Sequence, residues 1–172
     1  VTRTYTLTDA CGNDIDLIQT ITVEADAVLA DDPIDVTECA SYTLPALTNG
    51  AYFGTTGGVN PIAVGTVITE TATIYVYAVS ADNSSCVVEN SFSVTINALP
   101  AAPSAQDQSE CEASPIQILT ATATVPEGIS IVWYDAATEG NVVASPTLNT
   151  VGSVTYYAES VNDDTECASS SR

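Results

Sequence analysis

Ser91-Phe92-Ser93-Val94-Thr95-Ile96-Asn97 alternates polar and apolar side chains without a break. Successive residues of a β-strand face opposite sides, so this spacing puts Phe92, Val94 and Ile96 on one face and hydroxyls on the other. A half-buried strand is expected. Gln19-Thr20-Ile21-Thr22-Val23 has the same pattern, as the final strand of a preceding module would. Residues 51–55, 63–68 and 73–79 read as strands separated by Gly57-Gly58, Asn60-Pro61 and polar turns. Further on, residues 116–125, 129–134, 141–144 and 154–161 read the same way, with Pro126-Glu127-Gly128 and Glu139-Gly140 between them. Helical periodicity is absent. Short strands with frequent turn signals point to an all-β fold of the sandwich kind.

The chain has 172 residues, 22 of them Asp or Glu, and its only basic side chains are Arg3 and Arg172, for a formal net charge of −20. Nucleic acids and anionic membrane surfaces both recruit Lys and Arg, so neither is an expected partner. Divalent cations or basic surfaces suit such a field, and salt should stabilise the compact state by relieving self-repulsion. With 45% hydrophobic residues, many of them β-formers, the sequence folds rather than forming an acidic tail. No run of about 18 apolar residues exists to span a bilayer. The first residues are not a basic, apolar leader, so a secretion signal is expected to have been removed or to lie far upstream.

The five cysteines carry an internal repeat. Asp35-Val36-Thr37-Glu38-Cys39 recurs as Asp107-Gln108-Ser109-Glu110-Cys111. Tyr75 precedes Cys86 by eleven positions and Tyr156 precedes Cys167 by the same eleven, each time through a polar loop. One cysteine opens a unit and the other closes it. Pairing Cys39 with Cys86 and Cys111 with Cys167 gives each small unit its own bridge, which would contribute roughly 4 kcal/mol in the chain-entropy model. Such bridges imply an oxidising compartment. Buried free thiols are the alternative. Zinc has neither a Cys-x-x-Cys pair nor a histidine to bind. Cys11 is left over, with a partner upstream of this segment or as a free reactive thiol.

Linkers near residues 24–33 and at Leu99-Pro100-Ala101-Ala102-Pro103 divide the chain into 1–30, 31–98 and 99–172. In the last unit, alternation places Trp133 with Ile129 and Ile131, opposite Tyr134 and Val132. Packing in the core is the expected role of Trp133, with carbohydrate stacking the alternative. Catalysis finds neither His nor Lys, no Gly-x-Ser-x-Gly turn and no phosphate-cradling loop, so no catalytic residues are assigned. Calcium is the one cofactor considered. Asp31, Asp32 and Asp35 near one linker, Asp82 in one loop and Asp163 with Asp164 in another offer oxygen ligands, or are simply solvated loop charges.

Glu110-Cys111, Ile118-Leu119-Thr120-Ala121, Val132-Trp133-Tyr134-Asp135-Ala136, Thr155-Tyr156-Tyr157-Ala158-Glu159-Ser160 and residues 167–172 resemble an immunoglobulin-like repeat of large type IX-secreted cell-surface proteins of Bacteroidota. Cys39-Ala40-Ser41-Tyr42-Thr43-Leu44-Pro45 and Ile74-Tyr75-Val76-Tyr77-Ala78 are similar to another repeat of the same proteins. Arg3-Thr4-Tyr5-Thr6-Leu7-Thr8-Asp9-Ala10-Cys11-Gly12-Asn13 looks like the end of a hyalin-like repeat. The resemblance implies tandem immunoglobulin-like β-sandwich domains arranged end to end on the cell exterior, as in SprB-like gliding adhesins. It implies 1–30 as the last strands of a truncated domain, and 99–172 as a sandwich lacking its last strand. Implied partners are neighbouring domains of the same long chain, type IX secretion or gliding machinery, and surface glycans. A glycan-binding or spacer module of a secreted polysaccharide-degrading enzyme is the other reading.

Overall fold

The structure is a computed structural model and describes residues 2–21, 28–81 and 84–172. The first elements are β1 (Thr2–Thr8) and β2 (Asp14–Thr20), an antiparallel hairpin. The Asp9 carboxylate closes its turn by accepting from the Cys11 and Asn13 amides at 2.8 and 2.9 Å. Its cross-strand pairs Tyr5–Leu17 and Leu7–Ile15 share one face, and all four side chains are exposed. The strand expected at residues 19–23 ends at Thr20, and residues 22–27 lie outside the described residues.

Seven strands follow: β3 (Val36–Cys39), β4 (Tyr42–Thr43), β5 (Ala51–Thr55), β6 (Val59–Ile62), β7 (Val67–Ile68), β8 (Ala72–Val79) and β9 (Val87–Asn97). One sheet has the order β3-β9-β8-β5-β6, with β3 parallel to β9 and every other pair antiparallel. The other sheet pairs β4 with β7. The apolar alternation of β9 is used as its spacing predicts, since Phe92 and Val94 are buried and Ile96 packs beside them. Leu44, Tyr52, Ile74 and Val76 complete the core, and the Tyr52 and Phe92 rings meet at 6.2 Å. Each of these large side chains contributes about 1.5–3 kcal/mol by leaving water.

One local reading changes here. Asn60-Pro61, expected as a turn, sits inside β6, the edge of its sheet, where a proline without an N–H is tolerated. The reversal at Thr56-Gly57-Gly58 falls where Gly57-Gly58 is expected to separate strands, and there the Glu89 carboxylate accepts from the Thr56 hydroxyl and, at 2.6 Å, from the Gly57 amide. Gly50, just before β5, has φ +91°, and a Cβ there would stand 3.1 Å from the Tyr77 carbonyl oxygen, so the turn requires glycine.

The remaining strands are β10 (Ser104–Ala105), β11 (Leu119–Thr120), β12 (Ala123–Thr124), β13 (Ile129–Tyr134), β14 (Thr147–Leu148) and β15 (Tyr157–Asn162). They pair as β10-β12, β11-β14 and β13-β15, all antiparallel. The long strand expected at 116–125 is two short ones, and that at 141–144 is a single bridge between Tyr134 and Val142. Trp133, opposite Ala158, shares its face with the buried Ala158 and Ser160, while Tyr134 lies on the reverse face. Among the described residues no helix forms, and the chain is all-β with the sheets of an immunoglobulin-like sandwich.

Candidate functional site

The parallel pairing of β3 with β9 fixes where the first unit carries its cysteines. Cys39 ends β3 opposite Asn97, and the Ala40 amide donates to the Asn97 carbonyl at 2.9 Å. Cys86 immediately precedes Val87, the other end of β9. Ten steps along that strand separate the two positions by roughly 33 Å, far beyond the roughly 4.4–6.8 Å between Cα atoms that a disulfide allows. The expected Cys39–Cys86 bridge is therefore not formed.

Cys39 is bonded instead to Cys167, 128 residues further on, with Cα atoms 5.7 Å apart. Cys167 is 1% exposed and sits in the return after β15. The Asn162 amide donates to the Cys167 carbonyl at 2.9 Å, and the Asn162 side-chain oxygen accepts from the Asp164 and Thr165 amides. The Asp163 amide reaches the Gly128 carbonyl at 3.0 Å, which places this return at the start of β13. Cys111 shares a cavity of about 340 Å³ with Ile116 and Leu119 and makes no disulfide. The expected Cys111–Cys167 bridge is likewise absent. Cys11, Cys86 and Cys111 are exposed free thiols. The sequence repeat gives the order of the cysteines but not the direction of β3, and that direction decides which sulfurs meet.

Sequence reading also missed what surrounds Arg172. Its guanidinium lies 3.4 Å from the Tyr134 ring centroid, pairs with Glu159 at 3.3 Å, and donates to the Ala136 and Glu139 carbonyls at 3.1 and 3.2 Å. The Tyr134 hydroxyl donates to Glu159 at 2.9 Å, and that bond raises the phenol above its ordinary value, with burial adding to it. An Arg five positions after a closing cysteine, in a chain with so few cations, was the available signal. The cluster fastens the segment after Cys167 onto β13 and β15.

Trp133 and Tyr134 do not form one flat surface. Trp133 lines a cavity of about 390 Å³ with Leu119, Leu148 and Tyr156, whereas Tyr134 lies under Arg172. The acidic candidates are dispersed. Asp31 accepts from the Thr48 and Asn49 amides at 2.6 and 3.1 Å, and the Thr48 amide is the main cause of its lowered pKa. Asp35 accepts from the Ser93 amide at 2.7 Å and Asp163 from the Ser130 hydroxyl at 2.5 Å. Asp32 and Asp164 are exposed, and Asp82 lies outside the described residues. Among the described residues, no group of three or more His, Cys, Asp or Glu is placed to hold a metal ion.

The fold and the covalent link between two of its units define a class: an all-β chain of immunoglobulin-like sandwich architecture. Residues 100–172 match the family model of the Ig-like domain that is CHU_C associated. No curated protein matches the chain.

Proposed function

We propose that this chain is a load-bearing repeat segment of a large bacterial cell-surface protein, exported by the type IX route and serving adhesion or gliding. The observation that carries this reading is the Cys39–Cys167 bond. Tension applied through the residues before Cys39 crosses one sulfur–sulfur bond and leaves through the residues after Cys167. The interval between them, which contains most of both sandwiches, is spared the load. A stalk needs this property. The match of residues 100–172 to an Ig-like domain supports a structural module on the cell exterior, and a disulfide suits an oxidising compartment.

The test is single-molecule extension of the chain held at its two ends. The oxidised protein should release no long segment. After reduction, the chain between the sulfurs, a sequence separation of 128, should add about 430 Å of contour length. Release of that length without reduction would refute the load-bearing reading.

A further inference from the structure

The β1–β2 hairpin is a two-stranded sheet, and among the described residues no other strand joins it. Every residue of both strands is exposed. A lone hairpin is marginal in water and needs its apolar face covered. Alternation and register give that face Arg3, Tyr5 and Leu7 from β1, opposite Gln19, Leu17 and Ile15 from β2. Its four apolar side chains are between 47% and 69% exposed. The reverse face is polar apart from Ile18. There the Thr6 hydroxyl donates to Asp16 at 2.6 Å and the Thr8 hydroxyl to Asp14 at 2.5 Å. In a chain of net charge −20, the apolar face therefore carries no carboxylate along its strands, and it holds one of the two cations.

The two ends of this face differ in charge. Arg3 stands at the open end. Asp9 stands at the turn, where its amide donates to the Asn13 carbonyl at 2.9 Å. The Asn13 side chain donates to the Asp9 carboxylate at 2.8 Å and is the main cause of its lowered pKa, so Asp9 stays ionised. We propose that this face docks the same face of a second copy, about a two-fold axis that crosses the strands. Such a contact is isologous and reverses the strand direction between copies. Arg3 then faces Asp9 of the other copy, Gln19 faces Asn13, and Tyr5 and Leu17 lie over Leu7 and Ile15. Arg3 and Asp9 are each three positions from Thr6, and Tyr5 and Leu7 one, so the stacking stays in step. A two-fold axis along the strands gathers both arginines at one end and both aspartates at the other, and like-charge repulsion opposes it.

With four apolar side chains a side, the contact falls below the roughly 1,200 Å² of a standard interface, so dimer and monomer exchange. It lies before Cys39 and leaves the Cys39–Cys167 bond of each copy in place, so it goes beyond the stalk reading and fails separately from it. The test is sedimentation equilibrium of the full chain carrying Cys11→Ser, Cys86→Ser and Cys111→Ser, so that no free sulfur joins copies. Salt of about 0.15 M screens the net charges beyond about 8 Å. Monomer and dimer are expected in exchange at chain concentrations up to about 1 mM. Leu17→Thr, which keeps a β-forming residue, should weaken the dimer about tenfold. Arg3→Gln should weaken it about fivefold, and so should Asp9→Asn, which keeps the oxygen that accepts from the Cys11 and Asn13 amides. Both together should cost no more than either alone, because they remove the same pair. Unchanged hydrogen exchange of the β8 and β9 amides identifies the variants as folded. A chain that stays monomeric over this range, a dimer indifferent to Leu17→Thr, or Arg3 and Asp9 effects that multiply would overturn the inference.

Discussion

The guanidinium of Arg172 lies 3.4 Å from the ring centroid of Tyr134, on the outer face of β13, and this cation–π contact is fastened by Glu159, which both residues share. The Arg172 and Glu159 side chains are 13% and 17% exposed, so the pair is largely shielded from solvent screening. Arg172→Ala should lower the stability of the second unit by about 2 kcal/mol, from the lost stacking together with the charge-assisted hydrogen bonds. Arg172→Lys should recover only part of it, because an ammonium cannot both lie flat on the ring and bridge two carbonyls. Chemical denaturation of the three proteins measures the difference, and equal midpoints would remove Arg172 from the account.

Tyr52 is 1% exposed, and its hydroxyl has no hydrogen-bond partner among the described residues. Burial holds its phenol above the ordinary value, with Tyr42 and Asp31 adding to the effect. Leaving a buried hydroxyl unsatisfied costs about 1–3 kcal/mol, so Tyr52→Phe should be neutral or stabilise by about 1 kcal/mol. Leu44→Ala in the same cluster should cost about 2–4 kcal/mol. Thermal unfolding of both variants checks the pair, and a Phe variant as damaged as the Ala variant would show that the hydroxyl is bonded.

Stability should be level between two pH limits. Asp9, Asp31, Glu89 and Asp135 all lie below their ordinary values of 3.8 or 4.5. The leading causes are hydrogen bonds from Asn13, Thr48, Thr56 and Asn141 respectively. A depressed folded value means the stabilisation is complete above the unfolded value and is lost as pH falls through the folded one. Tyr52 and Tyr134 lie above 10.0, so their contribution is complete below that pH and is lost as pH rises through the folded values. Denaturation midpoints across pH at fixed ionic strength should fall off on the acid side below about 4 and again above about 10. A midpoint still rising below pH 3 would contradict the assignment.

The two sandwiches should open at different free energies. The cluster of buried large side chains runs from Leu44 to Val94, whereas the buried positions between 104 and 172 are Pro146, Ala158, Ser160, Cys167 and Ser169, all small. Amides of β8 and β9 should exchange about 100-fold or more slowly than those of β13 and β15, a gap of roughly 3 kcal/mol. Hydrogen exchange of the oxidised protein reads this directly, and the reverse order would mean the core has been misplaced.

Much of the architecture was legible in the sequence because alternation is a local signal. Phe92 and Val94 point inward as their spacing demands, and residues 51–55 and 129–134 coincide with β5 and β13. What failed was non-local. Asn60-Pro61 reads as a second turn beside Gly57-Gly58, but it lies in β6, whose place at a sheet edge is set by pairing with β5. Cys39 seems matched to Cys86 until the parallel register of β3 sets them at opposite ends of β9. Arg172 has no visible partner in sequence, since Tyr134 and Glu159 come together only when β13 pairs with β15.

The central claim is that a covalent bond runs between the two sandwiches rather than within each. Free thiols are alkylated under denaturing conditions, and the unreduced protein is then digested with a protease that cuts after Glu, which suits a chain with two basic residues. Mass mapping should return the Cys39 peptide joined to the Cys167 peptide, with Cys11, Cys86 and Cys111 alkylated in the monomer. Recovery of Cys39 joined to Cys86 and Cys111 joined to Cys167 would contradict it.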